Sequence, residues 1–242
     1  MTAEPTGIHS TLSARVAADL RMRVAAGEWA AGERIPGEHD LARHYRVSRA
    51  TVRTALQDLE SRGLTLTHHG SGTVVTAHSS TDRADLRRLE SMTETIARQG
   101  RVPGMQYRAI SVRAATEEES IRLALEPGEE VLAVERALTA DNEVVAFSHD
   151  AIPTAVLGDD FDPSDVSGSL FAMLERHGVR AVVAITELHA VHGDGIGWGE
   201  RPADATYLLL VQLHSDSRGR PIDLSRTYFI EGRFPFGLVR HR

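Results

Sequence analysis

Val47-Ser48-Arg49-Ala50-Thr51-Val52-Arg53-Thr54-Ala55-Leu56-Gln57-Asp58-Leu59-Glu60-Ser61-Arg62-Gly63, followed by Leu64-Thr65-Leu66-Thr67-His68-His69-Gly70-Ser71-Gly72-Thr73-Val74-Val75, is the stretch on which the reading of the fold turns. In its first part, Val52, Ala55, Leu56 and Leu59 recur at the spacing of one helical face. A helix is therefore expected over Arg49–Arg62, with Ser48 as N-cap and Gly63 as its end. Arg49, Thr51, Arg53 and Thr54 fall on the opposite, polar face. The period then changes: Leu64–Thr67 and Thr73–Val75 alternate around His68-His69-Gly70-Ser71-Gly72, the pattern of a β-hairpin with a glycine-rich tip. Upstream, Leu12, Val16, Leu20 and Val24 stand four apart and predict a helix closed by Gly27. A turn-rich connector, Trp29–Pro36, leads to a shorter helix over Glu38–Tyr45, and Val47–Ser48 breaks the chain before the third. Helix, helix, turn, helix, hairpin is the order of a winged helix-turn-helix.

Charge separates this segment from the rest. The 242 residues carry 27 basic and 34 acidic side chains, a net charge of −7, and every basic one is Arg. Residues 1–76 hold 9 Arg against 8 acids, whereas residues 77–242 hold 18 against 26. Between positions 43 and 62 five Arg (Arg43, Arg46, Arg49, Arg53, Arg62) face only two acids, Asp58 and Glu60. Such a local excess suits a phosphate backbone, and equally a solvated helix face. With 41% apolar and 25% charged residues the composition is that of a globular chain. The absence of Cys excludes a disulfide framework, thiolate metal sites and a cysteine nucleophile. No apolar signal-like segment opens the chain, and no fully apolar run, the one near Leu208–Val211 included, exceeds five residues, far short of the roughly 18 residues of a membrane helix. No membrane association is expected, and the cytoplasm is the expected compartment.

Residues 8–76 are thus read as a DNA-binding domain, and the small, polar residues 77–85 as a linker. Residues 86–242 are read as a second domain in which helical stretches (Leu86–Gln99, Thr116–Leu125, Leu170–His177) alternate with extended ones. The extended stretches are Tyr107–Val112, Val131–Leu138, Glu143–Phe147, Ala181–Val191, Tyr207–Leu213 and Arg226–Ile230. The fold class is α+β, a winged helix-turn-helix plus a mixed α/β domain. Gly193–Gly199 is glycine-rich without the context of a dinucleotide site and reads as a flexible loop, with a gate over a pocket as one conceivable use. His189 and His192 face opposite sides of an extended segment, so no metal site is read there; no cofactor motif and no nucleophile–base motif is found.

A helix fits the major groove, and guanidinium groups near its N-terminus suit guanine. Arg49 and Arg53 lie one turn apart on the polar face, with Ser48, Thr51 and Thr54 as hydroxyl partners for phosphate or base. The alternative is solvent-exposed salt bridging. The residues Ile35-Pro36-Gly37-Glu38, Leu41-Ala42, Val47–Arg53, Ala55-Leu56, Leu59, Gly63-Leu64 and Gly70–Thr73 resemble, without gaps over about residues 12–75, the DNA-binding domain of GntR-family bacterial repressors. That resemblance implies operator contacts at Glu38, His39, Ser48, Arg49, Thr51, Arg53 and, on the wing, His69 and Gly70. One departure stands out: the position of His39 usually carries Arg in the family, so a contact there is weaker or pH-dependent.

Residues about 86–238 resemble the UTRA effector domain of the HutC subfamily, whose sheet is chorismate-lyase-like. The pieces are Ser91–Glu94, Val134-Glu135-Arg136, Asp141, Gly168–Phe171, Gly219–Asp223 and Tyr228. The resemblance implies an effector pocket at Thr93, Arg136, Ser169, Phe171, Asp223 and Tyr228. Sugar-phosphate binders of the subfamily carry a second Arg where Leu138 stands and Glu where Ser148 stands. Loss of a charge-assisted phosphate contact is worth about 1.5–3 kcal/mol, so the expected effector is a small molecule other than a doubly charged sugar phosphate. Arg136 either pairs a single carboxylate of the effector or forms a salt bridge with Glu135 or Glu143. The expected function is that of a ligand-responsive repressor holding a pseudo-palindromic double-stranded operator as a homodimer. Two rivals stand beside it: chorismate-lyase-like turnover in the second domain, and DNA binding without an effector.

Overall fold

The computed structural model describes residues 11–68, 72–76, 84–158, 160–193, 195–199 and 204–237. Its contacts divide the chain into two compact units, one reaching to Asp85 and one running from Leu86 to Phe236.

In the first unit, α1 (Leu12–Ala25) is capped by Thr11, whose hydroxyl accepts from the Ala14 amide. Its buried stripe is Val16, Ala17, Leu20 and Val24, while Leu12 in the opening turn stays exposed. The second helix, α2 (Glu38–Tyr45), ends on Arg46 in the left-handed conformation, which turns the chain sharply before α3 (Arg49–Ser61). Ser48 caps α3 by accepting the Thr51 amide at 3.1 Å. Val52, Ala55, Leu56 and Leu59 bury the expected face against Val16, Leu20, Leu41 and Ile35. Asp58 ties α3 to α1, taking Arg21 at 2.6 Å and Arg62 at 2.7 Å. A hairpin of β1 (Thr65–His68) and β2 (Gly72–Val75) pairs Thr65 with Val75 and His68 with Gly72. The helix-turn-helix and the paired wing strands follow the pattern of apolar spacing; the wing tip, including His69 and Gly70, lies outside the described residues.

The second unit is built on six antiparallel strands: β3 (Pro103–Ala114), β4 (Glu130–Ala140), β5 (Glu143–Pro153), β6 (Val183–His192), β7 (Thr206–Ser215) and β8 (Pro221–Ile230). Their order across the sheet is β3-β4-β5-β8-β7-β6. The two-residue turn Asp141-Asn142, both with positive φ, joins β4 to β5 and matches the twist of a tight hairpin. Alternation along the strands gives the sheet two covered faces. On one, Leu132, Val134, Ile152 and Ile222 pack under α6 (Leu170–Arg176) through Leu170, Met173 and Leu174. On the other, Val131, Ala151, Val211 and Leu224 pack under α5 (Glu117–Leu123) through Leu123.

Several expected elements differ in extent: β3 runs Pro103–Ala114 rather than Tyr107–Val112, and three other differences bear on the site. The helix expected over Leu86–Gln99 is only α4, Met92–Arg98, because Ser91 forms a capping box with Glu94 and starts the helix there. Strand β5 continues past Phe147 to Pro153, and β8 begins at Pro221 rather than Arg226. Both extensions carry polar side chains, Ser148, Asp150, Asp223 and Ser225, that interrupt the apolar pattern yet are buried.

The start of α5 stores a pH-dependent contribution. Thr116 and Glu119 form a second capping box, and Arg113 grips both Glu119 oxygens at 2.7 and 2.8 Å. The Arg113 hydrogen bonds, opposed by burial and aided by the Thr116 amide, pull the Glu119 carboxyl down to about 2 from an ordinary value of 4.5. Its contribution is therefore present above pH 4.5 and is lost as the pH falls toward 2. Glu119→Gln is expected to cost about 1–3 kcal/mol at neutral pH. In urea unfolding the gap to the parent protein should close across that acidic window.

Candidate functional site

Each unit presents one site. In the first, the exposed face of α3 carries Arg49 and Arg53, with side chains 65% and 58% exposed. Glu38, at the start of α2, reaches across to them. Its carboxylate takes Arg53 Nε at 2.9 Å and Nη2 at 2.8 Å, a bidentate pair, and Arg49 Nη2 stands 3.6 Å away. The Arg53 hydrogen bonds hold the Glu38 carboxyl below the usual carboxylate range. Glu38 thus orients the two guanidinium groups, a use that its place among the candidate DNA contacts did not anticipate. Ser48 Oγ is engaged by the Thr51 amide and hydroxyl, so it organises the end of the helix. His39 Nδ1 lies 3.1 Å from Arg43 Nη2 on an exposed surface.

The second site is a cavity enclosing about 600 Å³, its open mouth included. Its floor is the polar side of β4, β5, β7 and β8, and residues from the starts of α4 and α6 form its rim. Strand register explains the floor: Arg136 opposes Ser148, Asp150 opposes Ser225, and His214 opposes Asp223. Ser148 Oγ donates to Asp150 Oδ2 at 2.6 Å, and Arg136 Nη2 lies 3.5 Å from the same oxygen. Arg136 Nη1 donates to the Gly168 carbonyl at 3.3 Å. His214 Nδ1 and Asp223 Oδ2 are 2.9 Å apart. Burial pushes the Asp223 carboxyl up, with the His214 hydrogen bond opposing and the neighbouring Asp150 charge adding to the rise. Four buried side-chain atoms on this wall have no hydrogen-bond partner: Arg88 Nη1, Thr93 Oγ1, Arg136 Nε and Asp223 Oδ1. Buried polar atoms are normally satisfied, so unsatisfied ones gathered on one concave surface mark it as a candidate ligand site.

Of the effector-site candidates, the structure brings together Thr93, Arg136, Ser169, Phe171 and Asp223. It removes Tyr228. Asp223, Ser225 and Thr227 share one face of β8, so Tyr228 points to the other, where its ring meets His149 at 5.8 Å and Tyr207 at 6.5 Å. Neither Glu135 nor Glu143 is the partner of Arg136: Glu135 lies near Arg108 and His149, and Glu143 near Arg101 and Arg233. The glycine-rich loop is not a gate over this cavity. Trp198 packs on Phe147, 4.9 Å between rings, on the face opposite the cavity. Gly197, at φ +75°, sits so close that a Cβ would lie 2.2 Å from the Phe147 ring. Asp150, Ser148, His214, Ser225 and Thr227 were not among the candidates. Their signal was present as polar residues two apart, Ser148-x-Asp150 and Asp223-x-Ser225-x-Thr227.

Comparison with known proteins fits this arrangement. Residues 12–75 match the family described as "Bacterial regulatory proteins, gntR family", and residues 98–235 match the UTRA domain. Together they define the class, a chain that joins a gntR-family domain to a UTRA domain. The chain belongs to the gntR family, in the group that carries a UTRA domain. It is 27% identical over 151 residues to the HTH-type transcriptional regulator GgaR of Escherichia coli, a match spanning 62% of this chain and 60% of that protein. Over 75 residues, 31% of each chain, it is 39% identical to the "Probable fructoselysine utilization operon transcriptional repressor" of Escherichia coli. Among solved structures, YydK of Bacillus subtilis shares the fold at TM-score 0.75 and 18% identity, covering 96% of this chain and all of that one. PhnF of Mycobacterium smegmatis aligns at TM-score 0.56 and 26% identity, over 93% of this chain and 99% of PhnF.

The Glu38 clamp has a measurable consequence. Glu38→Gln removes a negative charge beside two arginines and loosens their orientation. Affinity for random duplex should rise about two- to tenfold, because one fewer anion opposes the phosphates. Discrimination between a selected operator and random DNA should fall. Fluorescence anisotropy on both duplexes reads the two effects separately.

Proposed function

We propose that this protein is a homodimeric, ligand-responsive repressor. Its α3 helices enter successive major grooves of a pseudo-palindromic operator, and a small molecule in the cavity of the second unit shifts the dimer to a state that releases DNA. The observation that carries this reading is the pairing, in one chain, of an oriented arginine face on α3 with a buried polar wall whose hydrogen bonds are incomplete. The repressor sense is supported by the name of the fructoselysine-operon relative. On this reading Arg49, Thr51 and Arg53 face the bases, while Glu38, His39, Ser48 and the wing residues His69 and Gly70 position the helix on the backbone and minor groove. The cavity residues Thr93, Arg136, Ser169, Phe171 and Asp223 hold the effector. Operator and effector affinities are then coupled reciprocally.

Two features support the finer points. Outer strand β6 leaves Val183, Ile185 and Leu188 about half or more exposed, an apolar edge that a second copy would cover. Leu138 and Ser148 both line the cavity, and Asp150 and Asp223 put carboxylates on its wall, which disfavours a phosphate dianion. The chain acts where its operator is, in the cytoplasm.

The test is operator binding with DNA selected from random sequence or from the region flanking its own gene. Arg49→Ala and Arg53→Ala should each cost about 1–3 kcal/mol on the operator and relax specificity at one base per half-site. Equal loss on random DNA would make that arginine a phosphate contact. Affinity should fall steeply with salt. No preference for any duplex over heparin would overturn the proposal.

A further inference from the structure

The cavity has an uneven charge balance. Glu90 on its rim is held by Arg88 and by Arg98, the latter at 2.5 Å. Asp150 is engaged by Ser148 and Arg136. Asp223 has one partner, His214, on one oxygen, and its second oxygen is buried and unpartnered. Asp223 is 2% exposed and Asp150 6%, so water screens neither well. An anionic group placed here would meet two carboxylates. A hydrogen-bond donor would complete Asp223, and a cationic donor does so most strongly, because hydrogen bonds between charged partners are about twice as strong as neutral ones. Elsewhere on the wall the requirement is reversed. Arg136 Nε and Arg88 Nη1 are donors without acceptors, and the Thr93 hydroxyl is unpartnered.

We infer that the effector is a phosphate-free polar amine: its protonated amine sits on Asp223, and its hydroxyl or carboxylate oxygens sit on Arg136, Arg88 and Thr93. This rests on the cavity being the effector site of a regulator and names the ligand class that site takes. Amino sugars and α-amino acids both offer this chemistry.

The experiment is calorimetric titration of the full chain with matched pairs: D-glucosamine against D-glucose, L-serine against glycerate, and glucosamine 6-phosphate as the phosphorylated arm. The amine of the productive pair should bind about tenfold or more tighter than its deaminated match, as a charge-assisted contact requires. Which pair responds separates the two sources. Asp223→Asn removes the charge but keeps one acceptor oxygen, so it should abolish most of that preference while leaving the deaminated match within about threefold. Tyr228→Phe, on the other face of the sheet, should change neither. The comparison in the parent protein needs no variant, so a misfolded Asp223→Asn leaves it intact. Equal binding of amine and deaminated match, tighter binding of the phosphate ester, or no binding of either amine at millimolar concentration would overturn the inference. Operator binding measured on the same sample stands apart: a chain that binds its operator but shows no amine preference refutes the ligand class and leaves the regulator reading in place.

Discussion

Every second residue of a strand faces the same way, and in the larger unit both faces of the sheet are covered over its central strands. That constraint governs the rest of the molecule. It places Arg136, Ser148, Asp150, His214, Asp223, Ser225 and Thr227 together on one side, drawn from two pairs of consecutive strands that are more than fifty residues apart in the chain. The same alternation sends Tyr228 and Phe147 to the other side, where they join Trp198 and Tyr207 in an aromatic cluster. A strand with a solvated face would lose nothing by carrying these polar groups. A strand covered on both faces must satisfy them, and here satisfaction is left incomplete at a concave wall.

The smaller unit solves a different problem. Arginines on an exposed helix are mobile, and a mobile guanidinium gives charge without direction. Glu38 supplies direction through a bidentate contact with Arg53 and a looser one with Arg49. Asp58 does similar work inside the unit, where Arg21 and Arg62 converge on it from α1 and from the end of α3. In both cases a carboxylate on one helix holds an arginine presented by another: Glu38 orients the arginines on the exposed face of α3, and Asp58 ties α3 to α1.

Legibility followed the type of signal. The three helices of the first unit and their buried faces were readable because Val52, Ala55, Leu56 and Leu59, or Val16, Leu20 and Val24, repeat at helical spacing. The strands of the second unit were readable where they are apolar and were cut short where they turn polar, at Phe147 in β5 and before Arg226 in β8. Those missing segments contain Asp150 and Asp223, so the residues that obscured the strands are also those that build the cavity. The helix expected from Leu86 was too long because the Ser91–Glu94 capping box outweighed the preceding residues' preference.

By itself the sequence determined the local elements of the first unit, the arginine-bearing face of its third helix and the acid–base imbalance between the two parts of the chain. Each of these rests on spacing or composition, which a linear chain displays directly. The tertiary structure alone decided that Asp150 and His214 join the cavity, that Tyr228 leaves it, that Trp198 of the glycine-rich loop packs on Phe147 on the far face, and that Glu38 clamps Arg53. The physical reason is that pairing register and strand parity bring together side chains many residues apart, and neither quantity is written in the order of the residues until the strands have found their neighbours.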